Sequence, residues 1–121
     1  MTTEVRPKYF ARVGDLFAET WGYDETRVDF WTVTKVSPTG RVKLIPVEKE
    51  WDDDRWNVRA IRSPGTGEFI PLRTYKGDRV KGYRVVKPGA YVKLSDYSYA
   101  SYVPADEERR WFACTNPAYG R

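Results

Sequence analysis

Apolar and polar positions alternate with a period of two over much of this chain, and clusters of proline and glycine break the alternation every several residues. That pattern predicts short strands joined by tight turns. The clearest run is TRVDFWTVTKV at residues 26–36, where β-branched and aromatic residues dominate with no glycine or proline inside. It ends at Ser37-Pro38-Thr39-Gly40, and residues 41–47 (RVKLIPV) return, so 26–47 reads as an antiparallel hairpin. Lys87-Pro88-Gly89 divides a second hairpin, formed by 80–86 and 91–94. Further strands are predicted at 13–18, 56–61, 97–103 and 110–114. Residues 69–73 contain Pro71 and are predicted as an edge strand or extended segment, and 104–109 as at most one helical turn. In the central run Val28, Phe30, Thr32 and Thr34 share one face, with Asp29, Trp31 and Val33 on the other. Both faces carry large apolar groups, as expected of a small, strongly bent barrel. The expected fold is therefore all-β, a small antiparallel barrel occupying residues 1–121 as a single domain.

Composition narrows the chemistry. The chain of 121 residues has no histidine and one cysteine, Cys114. The commonest general base and metal ligand is thus missing, and nucleophile–histidine mechanisms and the usual zinc sites are excluded. Carboxylate-only chemistry survives at Asp24, Glu25 and Asp29 or at Asp52, Asp53 and Asp54, although such runs usually form solvated turns. Gly65-Thr66-Gly67 lacks the lysine and helix of a phosphate loop. No enzymatic activity, catalytic residue, metal or cofactor is expected. No apolar run is long enough to span a bilayer, and MTTEVRPKYF lacks a signal-peptide core, so a cytoplasmic protein without membrane partners is expected.

Charge is unevenly distributed. Residues 1–54 hold eight Lys/Arg against eleven Asp/Glu, 55–93 hold ten against two, and 94–121 hold three against four, giving −3, +8 and −1 and the total of +4. The basic middle segment points to a polyanion. Arg55, Arg59 and Arg62 fall on or beside one predicted strand, Arg79, Lys81 and Tyr83 share a face of another, and Tyr97 and Tyr99 point together. Arginine and lysine beside tyrosine platforms are how small β-barrels hold single strands. An alternative interface uses the aromatic residues Tyr23, Trp31, Trp51 and Trp56 with Asp29, because tryptophan and tyrosine concentrate in protein–protein hot spots.

The stretch VGDLFAETWGYDETRVDFWTVTKV carries a motif built on Gly14, Asp15, Trp21, Gly22, Tyr23, Asp24, Thr26, Asp29, Phe30 and Trp31. It resembles a group of small, largely uncharacterised proteins of phages, plasmids and bacterial mobile elements. Residues 91–95 and 97–100 resemble that group's closing strands more loosely, while 51–62 are peculiar to this chain, and 103–106 read Val-Pro-Ala-Asp where Trp-Asp-Gly is expected. The resemblance implies an SH3-like barrel and a phage-type accessory role in a bacterial host's cytoplasm. It supplies no activity. The expected function is nucleic-acid binding through segment 55–93; the alternatives are an inhibitor that binds a host bacterial protein and a sponge for a nucleotide signal.

Overall fold

A computed structural model describes residues 10–21, 27–53, 57–72, 82–95 and 98–113. Within them the chain forms nine strands: β1 (Leu16–Trp21), β2 (Arg27–Val36), β3 (Val42–Val47), β4 (Lys49–Trp51), β5 (Asn57–Ala60), β6 (Val86–Lys87), β7 (Tyr91–Ser95), β8 (Ser98–Val103) and β9 (Phe112–Ala113). One 3₁₀ turn, Ala105–Glu107, lies between β8 and β9. The fold is all-β with exclusively antiparallel pairing among these strands, the class and the single helical turn expected.

Six strands make one sheet in the order β3-β2-β1-β8-β7-β6, and β4-β5-β9 make a second. The larger sheet curls. Phe17, Trp31, Val33, Val42, Leu44, Val92, Leu94 and Ala100 are buried in one cluster, joined by half-buried Val86, so all six strands send side chains to the same centre. The curl is closed at one point by an antiparallel bridge between Val42 and Arg84. Each donates its N–H to the other's carbonyl, at 2.8 and 2.7 Å. The result is a small barrel-like sheet with a narrow seam.

The outer face of β1, β2, β3 and β8 carries a second cluster, Leu16, Val28, Phe30, Val47 and Val103. The smaller sheet lies over it with Val58, Ala60, half-buried Trp51 and Phe112, and the 62–71 loop adds Phe69. This explains the two apolar faces of β2: one lines the barrel and the other meets the second sheet. Trp31 is 1 % exposed on the barrel side, and its indole Nε1–H donates to Oε1 of Glu19 at 3.0 Å. Trp31 is therefore a core residue and drops out of the alternative interface, because the curl of the sheet turns its face inward.

Two tight turns shape the closing wall. Gly40 at φ +87° completes the β2–β3 turn, where a side chain would be strained. Ala90 at φ +61° ends the β6–β7 turn, held there by a bond from its N–H to the Lys87 carbonyl and by one from the Tyr102 N–H to its own carbonyl. β4 was not expected: three residues with two charges carry too short a pattern to stand out. It pairs with β5 across a turn in which Asp52 accepts from the Asn57 backbone N–H at 3.2 Å and side-chain amide at 2.6 Å. That is a structural role for the first residue of the acidic run.

Candidate nucleic-acid interface

Two arginines of the expected basic strip, Arg59 and Arg62, are engaged within the chain. Arg59 on β5 donates from Nε to Oε2 of Glu50 on β4 at 2.5 Å, and its guanidinium stacks 4.1 Å from the Trp111 ring. Arg62 makes a two-pronged contact with Glu108, through Nε and, at 2.6 Å, through an Nη, donates to the Gly67 carbonyl, and stacks 4.0 Å from the Phe69 ring. The hydrogen bond to Glu108 raises the Arg62 pKa above its ordinary value against the opposing effect of burial. These two arginines bind carboxylates of this chain and hold the second sheet and its loop together. Arg55, Arg79, Lys81 and Tyr97 lie outside the described residues, as do Tyr23 and Trp56 of the alternative interface.

Of that alternative set, Asp29 is ion-paired with Lys49 at 2.8 Å, and Lys49 also donates to the Val28 carbonyl. Trp51 is half-buried against the second sheet's core, with the Lys49 ammonium 5.7 Å from its ring. They make an internal joint between β2 and β4.

A different surface emerges where the barrel closes. Residues opposite each other on paired strands point the same way. Lys35 lies opposite Lys43, and since Val33, Val36, Val42 and Leu44 face the barrel centre, both lysines face out. Across the seam Arg84 pairs with buried Val42 and so points inward, where its Nε is buried with no hydrogen-bond partner among the described residues. Its neighbours Tyr83 and Val85 point outward and are 42 % and 48 % exposed. Lys87 lies opposite Tyr91, and Lys93 opposite Tyr99, again on the outer face. Lysine and tyrosine thus alternate across β3, β6, β7 and β8.

Local contacts order this face. The Lys43 ammonium sits 5.3 Å from the centre of the Tyr83 ring, and Tyr91 and Tyr99 meet edge to face at 5.5 Å. Tyr99 is 59 % exposed, so its ring remains open to solvent beyond that contact. Segments 33–47, 82–95 and 98–103, which build the wall, contain Lys35, Arg41, Lys43, Arg84, Lys87 and Lys93 and not a single aspartate or glutamate. Those three segments therefore contribute only positive charge of their own to this surface.

Tyr83 and Tyr99 of the expected site therefore lie on this wall, while Arg59 and Arg62 do not. Lys35, Lys43, Lys87, Tyr91 and Lys93, outside the expected set, share this wall with the two tyrosines. The trace of this surface in the sequence is the absence of acids from 33–47 and 82–95.

Beside Tyr99 the outer face continues into a cleft of about 220 Å³ lined by Thr20, Ser101, Glu107, Arg110 and Phe112 among others. A broader groove of about 760 Å³ runs over Val13, Ile45, Phe69 and Ile70; the cation at its edge is Arg62, already paired with Glu108. Among the described residues no helix is long and apolar enough to cross a membrane. The chain matches no protein-family model, no curated protein and no solved structure.

Proposed function

We propose that this protein is a non-enzymatic binding module, of the phage-type accessory kind its motif resembles, that holds single-stranded nucleic acid on the outer wall of β3, β6, β7 and β8. One observation carries the reading: closure of the barrel at Val42 and Arg84 brings Lys43 to Tyr83, and strand pairing sets Lys87 opposite Tyr91 and Lys93 opposite Tyr99, on strands without a carboxylate. The lysines suit phosphates and the exposed rings suit bases. A strand whose bases are unpaired presents both together, whereas a duplex hides the base faces from rings lying on a sheet. The arginines of 59 and 62 take no part, since their charge is committed to Glu50 and Glu108.

Fluorescence polarisation with labelled single-stranded and duplex oligonucleotides tests this at ~50 mM salt, where phosphate contacts are strong. Saturable binding of the single strand, weaker binding of the duplex, and loss of affinity in a Lys43→Ala, Lys93→Ala double variant are expected. Absence of single-strand binding under those conditions refutes the reading.

A further inference from the structure

We propose that the cleft beside Tyr99 is a guanine-reading subsite at the end of the lysine–tyrosine wall. The inference rests on the single-strand reading above and adds base selectivity to it. The cleft is lined by Thr20 of β1, Tyr99 and Ser101 of β8 and Phe112 of β9. Tyr99 belongs to both the wall and the cleft, so a strand lying along Lys87, Lys93 and Tyr99 brings its next base to the cleft mouth.

Glu107 and Arg110 stand at the rim, on the short segment between β8 and β9. A bond from the Arg110 N–H to the Glu107 carbonyl at 3.1 Å folds the two residues together, and their side chains meet at 3.3 Å. The Arg110 guanidinium also lies 4.7 Å from the Phe112 ring, which limits where it can swing. The pair therefore presents nitrogen donors directly beside two carboxylate acceptors.

The Glu107–Arg110 pair carries no net charge and offers donors beside acceptors, so it suits a neutral group with an acceptor next to donors better than a phosphate. Guanine offers the matching edge: O6 accepts, and N1–H and the N2 amino group donate side by side. Arg110 donates to O6 while Glu107 accepts from N1 and N2, the arrangement that cytosine presents in a base pair. Adenine, cytosine and thymine each set at least one acceptor against the carboxylate, where a lone pair faces a negative charge. Ring contact with Tyr99 is sequence-tolerant and adds affinity for whichever base enters.

The test compares oligothymidines of one length that carry a single central guanine, inosine or no substitution, by fluorescence polarisation at low salt. Inosine keeps O6 and N1–H and lacks the N2 amino group. The guanine strand is expected to bind about tenfold more tightly than plain oligothymidine, as a two-bond base contact of this kind provides. Inosine should fall between them, and Glu107→Gln should make guanine and thymine strands bind alike. Asp106→Asn removes the same charge one residue away and should keep the preference. Equal binding of the guanine and thymine strands to the wild type, or a preference that survives Glu107→Gln, overturns the subsite and leaves the wall standing. Failure of every strand to bind refutes the wall, and the subsite falls with it.

Discussion

At the scale of single residues, the barrel interior holds polar groups whose placement has measurable consequences. Tyr102 is half-buried on the inner face of β8, edge to face with Phe17 at 5.9 Å. Burial raises its pKa above the ordinary tyrosine value; the negative charges of Asp15 and Asp106 push the same way, and Arg12 opposes them. The native state thus holds this proton more tightly than the unfolded chain does. The associated stability is complete below pH ~10, the unfolded tyrosine value, and is lost as pH rises through the higher native value. Tyr102→Phe, which has no proton to lose, should show a shallower fall in Tm between pH ~9 and ~11 than the wild type. Identical alkaline profiles would exclude Tyr102 as a contributor. The partnership of Glu19 with Trp31 was not legible in the chain. Period-two alternation places Trp31 on a face but cannot say which of two apolar faces lines the barrel. A glutamate is ordinarily expected outside, and Glu19 is fully buried because the β1–β2 register brings it within reach of a tryptophan twelve positions away.

Whole elements are held in place by the arginines that looked like ligand contacts. Arg62 ties the 62–69 loop to the segment after the 3₁₀ turn through Glu108, and Arg59 spans β4, β5 and Trp111. Both pairs remain partly exposed, so solvent screens them and each is worth about 1 kcal/mol. Arg62→Ala should therefore lower Tm by a few degrees and leave oligonucleotide affinity unchanged, while Lys43→Ala should weaken binding with little change in Tm. Thermal melts beside polarisation titrations separate the two, and the reverse pattern would return Arg62 to the interface. The hairpins on either side of this clamp were plain in the sequence: strand 26–36 appears as β2, and the Lys87-Pro88-Gly89 turn joins β6 to β7. Their signals are local, a β-branched run or a proline–glycine pair. The fate of each arginine was not, because Glu108 is forty-six residues from Arg62 and meets it only once the loop has folded against the turn. Charge counted along a segment cannot register neutralisation by a partner that distant. The lack of acids on 33–47 and 82–95 is likewise a local count, but sheet closure brings those acid-free strands side by side, so it persists on the folded surface they share.

For the molecule as a whole, the curled sheet separates a covered face from an open one, although the sequence interleaves their residues. The face under the second sheet is sealed by Val58, Ala60, Phe69 and Phe112, and the opposite end of the same curled sheet is left open with its lysines and tyrosines. Lys35, Lys43, Lys87 and Lys93 lie outward on this wall, while Arg84 contributes positive charge from behind the seam. Four phosphate contacts on a single strand correspond to a slope of roughly −3 in a plot of log K against log salt, each contact contributing about −0.7. Removing one lysine should therefore flatten the slope by about 0.7 and weaken binding alike for every sequence. Removing an exposed ring should do something different. Tyr83→Ala or Tyr99→Ala should cost about 1–3 kcal/mol of affinity with the slope unchanged, because stacking releases no counterions. Titrations at four or five salt concentrations distinguish these outcomes directly. A wild-type slope near zero, or tyrosine variants that alter the slope as the lysine variants do, would mean that phosphates and bases are not held by separate groups on this wall. Separate groups are what the alternation of Lys43, Tyr83, Lys87, Tyr91, Lys93 and Tyr99 across antiparallel strands requires, since a sheet fixes each side chain at its own register position and leaves neither type free to do the other's work.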